Sequence, residues 1–372
     1  MRISFLLSSL WLSGGTRVVV EYANRLSARG HLVSLVIPKG AYVAEVTGNL
    51  DSRVRMIEAG ISLPGTHIST FQKLKLACSM ALAVPKSDVI IATHTPTTVV
   101  SFVSAYLLGR GNPVWFYMDY PGMFVSRPLE AWLLKHALNW HRAALVLSNN
   151  SALELQSFRR GKVFFVGLGL NRATDFHPLT HQLEPAHSPA TSVPKRVFYL
   201  GDFRPRKGLA DFLSAAEIVY QVYPELELWI ALKEDGLLET PVPHRCFYRP
   251  SDEELTQLYA TCDLFVSASW YEGFGLPPLE AMACGAPVVM TDSGGVRDYA
   301  RHEENCLLVL PKQPAQLAQA MQRVLEDSVL EKRLRRSGPP TAAQFTWENA
   351  TDRFEQALLT VCGSQSSSRP PA

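Results

Sequence analysis

Short, nearly continuous apolar runs alternate with amphipathic stretches along most of the chain. Residues 3–7, 32–37, 88–92, 113–118, 144–148 and 162–166 are mostly Ile, Val, Leu, Phe and other apolar residues, broken only by Ser4, Ser34, Asp88, Pro113, Ser148 and Lys162. Such runs suit strands buried on both faces better than strands with one wet face. Residues 54–58 add a shorter strand. Between them, 17–29 carries Val18, Val19, Tyr22, Ala23 and Leu26 on one helical stripe. Residues 67–82, 128–142 and 151–159 also read as helices, the last with Ser151 as its N-cap. Strand, helix and strand at this spacing predict a doubly wound parallel sheet.

The pattern stops over 177–194, where Pro, His, Ser and Thr replace apolar residues, and this is the best linker in the chain. It resumes with strands at 196–200, 226–232, 264–267, 288–291 and 305–310, and helices at 209–220, 253–260, 277–284, 296–299 and 314–326. Ser251 and Glu254 have capping-box spacing. The reading is α/β throughout: a first domain over 1–176, a linker over 177–195 and a second domain over 196–345. A terminal helix follows at 346–361, then a Ser/Pro-rich tail at 362–372 with the composition of a disordered segment.

Composition narrows the partners more than the fold. A length of 372 residues supports two cores, and 47% hydrophobic with 19% charged residues describes a soluble globular chain. A net charge of +2 gives nucleic-acid binding no support. Six cysteines without a Cys-x-x-Cys pair read as small buried hydrophobes of a reducing compartment. Met1-Arg2 and the apolar run behind it superficially resemble a secretory signal, but one positive charge and no clean cleavage site favour a first strand. No run has the length of a membrane span, so a cytoplasmic location is expected. Lys73 and Lys75 interleave with apolar residues in 67–82, which core packing explains best and a peripheral membrane contact explains second.

The chemistry concentrates in residues 262–292. A short strand leads into a loop with Gly273 and Gly275 flanking Phe274, then Leu276 and a helix begun by Pro277 and Pro278 and stopped at Gly285. Glu272 stands in the loop and Glu280 inside an otherwise apolar or small helix. Loop amides and a helix N-terminus suit phosphate or electron-rich oxygens, and a carboxylate at each end accepts hydroxyls, which is what a nucleotide sugar presents. A second junction, Gly201-Asp202-Phe203-Arg204-Pro205-Arg206-Lys207-Gly208, places Arg204, Arg206 and Lys207 between a strand end and a helix start. Guanidinium and ammonium groups there form an anion site where a diphosphate would lie. Gly14 and Gly15 follow the first strand, where parallel sheets bind ligands, and His94 and Asp119 stand at other strand exits. Gly167-Leu-Gly169-Leu-Asn171-Arg172 begins like a dinucleotide fingerprint, but Arg172 replaces its third glycine and the segment reads as a closing turn.

Glu272-Gly-Phe-Gly-Leu-Pro-Pro-Leu-Glu280, continued by Ala-Met-Ala-Cys-Gly-Ala-Pro-Val-Val, resembles the signature of the large retaining glycosyltransferase family of the GT-B fold (family four, group 1). The resemblance implies two facing Rossmann-like domains with the active site in the cleft between them. It implies a hexosyltransferase-type enzyme that moves a sugar from a nucleotide-diphosphate sugar to a glycan or lipid-linked acceptor in polysaccharide or glycoconjugate synthesis. Glu272 and the amides of Gly273, Phe274, Gly275 and Leu276 would hold the donor sugar, and Glu280 the ribose hydroxyls. Lys207 matches the family's phosphate lysine; Asp202 stands in the place of its arginine, leaving Arg204 or Arg206 to substitute. Gly14 and Gly15 would face the donor phosphates and the acceptor, and Tyr248 with Arg249 would lie near the base. Many relatives carry a His-Asp pair where this chain has Met118-Asp119, so Asp119 stays a candidate without its histidine. The chain has no Asp-x-Asp pair, so no metal and no further cofactor are expected. A non-catalytic sugar-nucleotide-binding protein, or an epimerase or phosphorylase on the same architecture, stays open beside the transferase.

Overall fold

The computed structural model describes all residues except 12, 63–68, 125, 159–161, 171–175, 177–193 and 364–372. The expected linker and tail therefore fall almost wholly outside the described residues, as do Asn171 and Arg172. The chain divides into two compact units: Met1–Leu168 together with the residues from Glu348 onward, and Gly169–Trp347.

The first unit runs β1 (Arg2–Leu6), α1 (Gly14–Ala28), β2 (Leu32–Lys39), α2 (Ala44–Thr47), β3 (Arg55–Ser62), α3 (Thr70–Ala83), β4 (Val89–Ala92), α4 (Thr95–Phe102), β5 (Asn112–Tyr117), α5 (Pro128–His136), β6 (Ala143–Val146), α6 (Asn149–Phe158) and β7 (Lys162–Phe165). The strands pair in parallel in the order β3-β2-β1-β4-β5-β6-β7. Order reverses beside β1, where winding to β2 and β3 gives way to winding through β4 to β7. That reversal makes a crevice at the carboxyl edge. Every residue of β4 and β6 is buried, as their unbroken apolar runs require.

The second unit runs β8 (Lys195–Gly201), α7 (Leu209–Tyr220), β9 (Leu226–Leu232), β10 (His244–Tyr248), α8 (Asp252–Thr261), β11 (Leu264–Ser267), α9 (Leu276–Ala283), β12 (Val288–Thr291), β13 (Leu307–Val309), α10 (Pro314–Glu326) and α11 (Ser328–Ala342). Its parallel order is β10-β9-β8-β11-β12-β13, with the same reversal beside the first strand. Its core joins Phe212, Leu228, Ile230, Val266, Val289 and Met321, all with no exposed surface.

The last helix, α12 (Trp347–Gly363), packs on the first unit. Phe354 meets Tyr22 at 4.3 Å, Phe116 at 5.4 Å and Phe5 at 6.1 Å between ring centroids. Arg29 binds Asp352 at 2.7 Å and Glu355 at 2.9 Å and also pairs with Glu348, so one guanidinium holds successive turns of α12.

Several local expectations are corrected. Helix α1 starts at Gly14 rather than 17, because the Ser13 hydroxyl accepts from the Thr16 amide at 3.1 Å and closes the first turn earlier. The cap of α6 is made by Ser148, whose hydroxyl accepts from the Ser151 amide at 3.1 Å, not by Ser151. Helix α4 was not anticipated, since its Thr- and Val-rich sequence has low helical propensity. Nor was α11, whose Gly338-Pro339-Pro340 reads as a breaker. Gly338 lets α11 approach α9 so closely that a Cβ there would lie 2.9 Å from the Met282 carbonyl. Of the cysteines, Cys78 is exposed and Cys246 and Cys362 half-buried, against the expectation that all are buried; all six are free.

Candidate functional site

Because all strands of the second unit are parallel, the loops after β8, β9, β11 and β12 emerge at one edge. Glu272 stands at the centre of that edge. Its backbone is pinned on both sides, donating its N–H to the Ser293 carbonyl at 2.8 Å and accepting from the Gly295 N–H at 3.0 Å. Lys207 Nζ reaches its Oε1 at 2.7 Å, and Ser269 Oγ donates to the same oxygen at 2.8 Å. Arg206 lies 3.6 Å from Oε2 and also donates to the Tyr271 carbonyl at 3.1 Å. Burial alone would raise the Glu272 pKa. The charges of Lys207 and Arg206 and the two hydrogen bonds outweigh it and hold the group below the usual carboxylate range. Two cations on one carboxylate leave about one positive charge to spare, which is an arrangement suited to a diphosphate.

The backbone explains why the cations sit there. Gly208 adopts φ 70° as the N-cap of α7, and a Cβ on it would come within 1.9 Å of the Ala268 carbonyl. Only glycine lets the loop after β8 press against the loop after β11. The Tyr199 hydroxyl donates to the Lys207 carbonyl at 3.0 Å, and the Trp270 N–H to the Arg206 carbonyl at 2.7 Å, fixing the same turn. On the other side Gly295 packs so tightly that a Cβ would meet the Gly273 carbonyl carbon and oxygen at 2.5 Å.

Arg204 and Arg206 take different partners. Arg204 turns away onto Asp202, donating from Nε at 2.9 Å and Nη2 at 2.6 Å, and its side chain is 55% exposed. Arg206 is the arginine beside Lys207 on Glu272. Lys233, just past β9, reaches solvent, yet its pKa is lowered, first by partial burial and then by Arg204, Lys207 and Arg206, with Asp202 opposing. The loop after β8 is thus cationic at Arg206 and Lys207, with Asp202 as a counterweight, while Glu234 and Asp235 follow Lys233 after β9.

Glu280 lies inside α9 and is buried, and its Oε2 accepts from the Tyr259 hydroxyl of α8 at 3.1 Å. Burial first, then the Glu280 charge, raises the Tyr259 pKa well above normal, so the phenol stays a donor. Phe274 is a core residue rather than a surface platform, 5.6 Å from both Tyr299 and Phe345. Gly275 takes φ 87°, with its carbonyl accepting from Tyr299 Oη at 2.5 Å. The N-terminus of α9 is poorer in donors than expected: Pro277 and Pro278 follow Leu276 in its first turn, and neither has an N–H. Gly273 has open space around its Cα. Tyr248, 43% exposed at the end of β10, donates to the Gly236 carbonyl at 3.4 Å, and Arg249 donates to the Lys233 carbonyl at 2.9 Å. Ser269, Tyr259 and Tyr299 were missed in the sequence, because no spacing rule links them to the residues they hold.

The remaining candidates belong to the first unit. Gly14 and Gly15 open α1, with free space at the Gly14 Cα and Met118 Sδ 3.9 Å from where a Gly15 Cβ would stand. Asp119 is buried, and one oxygen accepts both the N–H and hydroxyl of Thr95, at 2.6 and 2.5 Å. It anchors the start of α4. His94 is half-buried with Nδ1 3.0 Å from the Thr93 hydroxyl. No group of His, Cys, Asp and Glu able to hold a metal ion occurs among the described residues.

Residues 183–339 match the family described as "Glycosyl transferases group 1", the segment that holds Glu272, Glu280, Arg206 and Lys207. The O-antigen chain mannosyltransferase B of Escherichia coli is 32% identical over 169 residues, covering 42% of this chain and 43% of that protein. A glycogen synthase of Mycobacterium tuberculosis is 29% identical over 186 residues, covering 47% and 45% respectively. The chain thus spans under half the length of these curated relatives. Solved structures match along nearly the whole chain. Sucrose-phosphate synthase from Thermosynechococcus elongatus superposes with a TM-score of 0.79 at 19% identity, covering 98% of this chain and 99% of that one. HepE of Anabaena, solved in complex with UDP-glucose, gives 0.73 at 20% identity, covering 97% and 100%. Two Rossmann-like parallel α/β units with these neighbours define the fold as GT-B.

Proposed function

We propose that this protein is a glycosyltransferase that moves a sugar from a nucleotide-diphosphate sugar to an acceptor hydroxyl, with retention of anomeric configuration. The observation that carries the reading is the Glu272 carboxylate held by Lys207 at 2.7 Å and Arg206 at 3.6 Å at the carboxyl edge of a parallel sheet. Lys207 and Arg206 stabilise the charge that builds on the leaving diphosphate, and such a donor contributes about 3 kcal/mol to the transition state. Glu272 and the Gly273 loop receive the sugar, and Glu280, oriented by Tyr259, receives the ribose. The departing phosphate takes the acceptor's proton, so no dedicated base is needed. Side-chain cations supply the charge that a divalent metal would otherwise supply, and the reaction runs in excess chelator; loss of activity in EDTA restored by magnesium would overturn that.

The curated relatives support a hexosyl donor, one being named a mannosyltransferase and another a glycogen synthase, and the UDP-glucose bound in HepE supports a nucleoside diphosphate carrier. Synthesis of a polysaccharide or glycoconjugate, at the cytoplasmic side, is the use that fits this chemistry. The test is a thermal-shift screen with UDP, GDP, ADP and their sugar conjugates. A shift with one nucleotide that Lys207→Ala weakens supports the reading. No shift in a folded protein would sink it, and a shift without sugar transfer to any acceptor would favour the non-catalytic alternative.

A further inference from the structure

In the first unit, helices α3, α4 and α5 cover one face of the sheet, since the crossovers β3 to β4, β4 to β5 and β5 to β6 all wind in the same direction. The inner side of α3 packs as a core helix should, with Met80 and Ala81 buried against Leu6, Val36 and Ile90. Its outer side is not what a solvated helix presents. Phe71 is 64% exposed, Leu74 56% and Leu82 63%. These positions, with Lys75 and Cys78, fall at helical spacing on a single outward stripe. Helix α5 repeats the pattern with Leu129 at 45% and Trp132 at 50% exposed, beside the exposed Lys135.

The two helices are joined across their outer surface by Lys73 Nζ to Glu130 at 2.6 Å. Glu130 is the one acidic residue of α3 and α5; Lys73 pairs with it and Arg127, just before α5, also acts on it, so these helices carry a surplus of positive charge that includes Lys75 and Lys135. Lys75 lies over the Phe71 ring at 4.5 Å, its stem along apolar surface and its charge outward. Tyr106, 54% exposed, lies in the widened turn that continues α4 and donates to the Trp140 carbonyl at 3.0 Å. Trp132 in turn stands 5.8 Å from Trp140. Exposed aliphatic and aromatic side chains interleaved with a surplus of cations are the composition of a bilayer interface, where Trp and Tyr sit at headgroup level and Lys and Arg meet anionic lipid. A protein partner is the poorer fit, because the core of a protein interface is depleted in lysine.

We propose that the outer faces of α3 and α5 form a docking surface for an anionic lipid bilayer, on which the protein sits peripherally. Among the described residues no helix is long and apolar enough to cross a membrane, so the contact is with the surface. The N-terminal turns of both helices lie at the carboxyl edge of the sheet, because each follows a strand that ends there. Docking through Phe71, Leu74 and Leu129 therefore brings the edge that carries Gly14 and Gly15 close to the lipid. This surface does not depend on the donor chemistry proposed above.

The test is co-sedimentation of the full chain with vesicles of equal parts phosphatidylglycerol and phosphatidylcholine, and with phosphatidylcholine alone. The wild type is expected to bind the anionic vesicles and to be released by salt. Lys75→Ala should weaken partitioning about fivefold. The pair Leu74→Ser with Trp132→Ser should weaken it by about tenfold or more. Leu153→Ser, which removes an even more exposed leucine from α6, should leave binding unchanged, and nucleotide thermal shifts on every variant report folding and the donor site separately. Binding that is absent, indifferent to lipid charge, or equal in wild type and the double variant overturns the proposal. So does a concentration-dependent dimer, without vesicles, that the double variant abolishes, since that would assign the surface to a second copy.

Discussion

Glu272 accepts from Lys207 and Ser269 on one oxygen and faces Arg206 with the other, so each substitution around it has a distinct expected outcome. Lys207→Ala should lower the transfer rate by about a hundredfold, the effect of losing one preorganised charge donor, with a smaller change in KM. Glu272→Gln removes the carboxylate and leaves two half-buried cations facing each other, at a cost of about 3 kcal/mol in stability. Denaturant unfolding checks it, and an unchanged midpoint would show that the charges are already solvated. The sign with pH follows from the same contact. A carboxylate whose folded pKa is depressed below its ordinary 4.5 contributes stability above that value and loses it as pH falls through the lower folded value. The second unit should therefore weaken on acidification below about pH 4.5, and Glu272→Gln should flatten that slope. The motif around Glu272 was legible as residues, yet Arg204 and Arg206 could not be told apart. Asp202 decided between them, by folding Arg204 back over two positions, and that choice depends on the turn after β8 rather than on residue type.

At the level of elements, the site is a set of loops pressed together at one strand edge, and glycines permit the pressing. Gly208→Ala is expected to fail twice over, through φ 70° and through a 1.9 Å approach to the Ala268 carbonyl. Lowered thermal stability and loss of nucleotide binding together are the expected result, and a wild-type melting curve would show that the loop after β11 can yield. Strands were the most legible elements, because full burial writes an apolar run into the chain: 226–232, 264–267 and 288–291 match β9, β11 and β12 to the residue. Helices were less so wherever tertiary contact overrode local preference. Helix α4 forms from Thr and Val because Asp119 holds the Thr95 amide and hydroxyl. Helix α11 keeps Pro339 and Pro340 within it while Gly338 packs against Met282 of α9.

On the scale of the whole molecule, α12 is part of the first unit although it is last in the chain. Phe354 fills a gap among Phe5, Tyr22 and Phe116, and it has no exposed surface. Phe354→Ala should destabilise the first unit by about 3–5 kcal/mol. Hydrogen exchange in β1 and β5 reads that loss locally, and undiminished protection in those strands would show the helix to be dispensable. By itself the sequence determined the α/β class, the doubly wound parallel sheet implied by strand–helix–strand alternation, and the Glu272–Glu280 unit, because burial and turn chemistry are local and leave a pattern. Tertiary structure alone decided that Arg206 rather than Arg204 joins Lys207, that Asp119 anchors a helix, that Tyr259 orients Glu280, and that α3 turns an apolar stripe outward. Each depends on which side chains are brought together from distant positions, and no one-dimensional period encodes that.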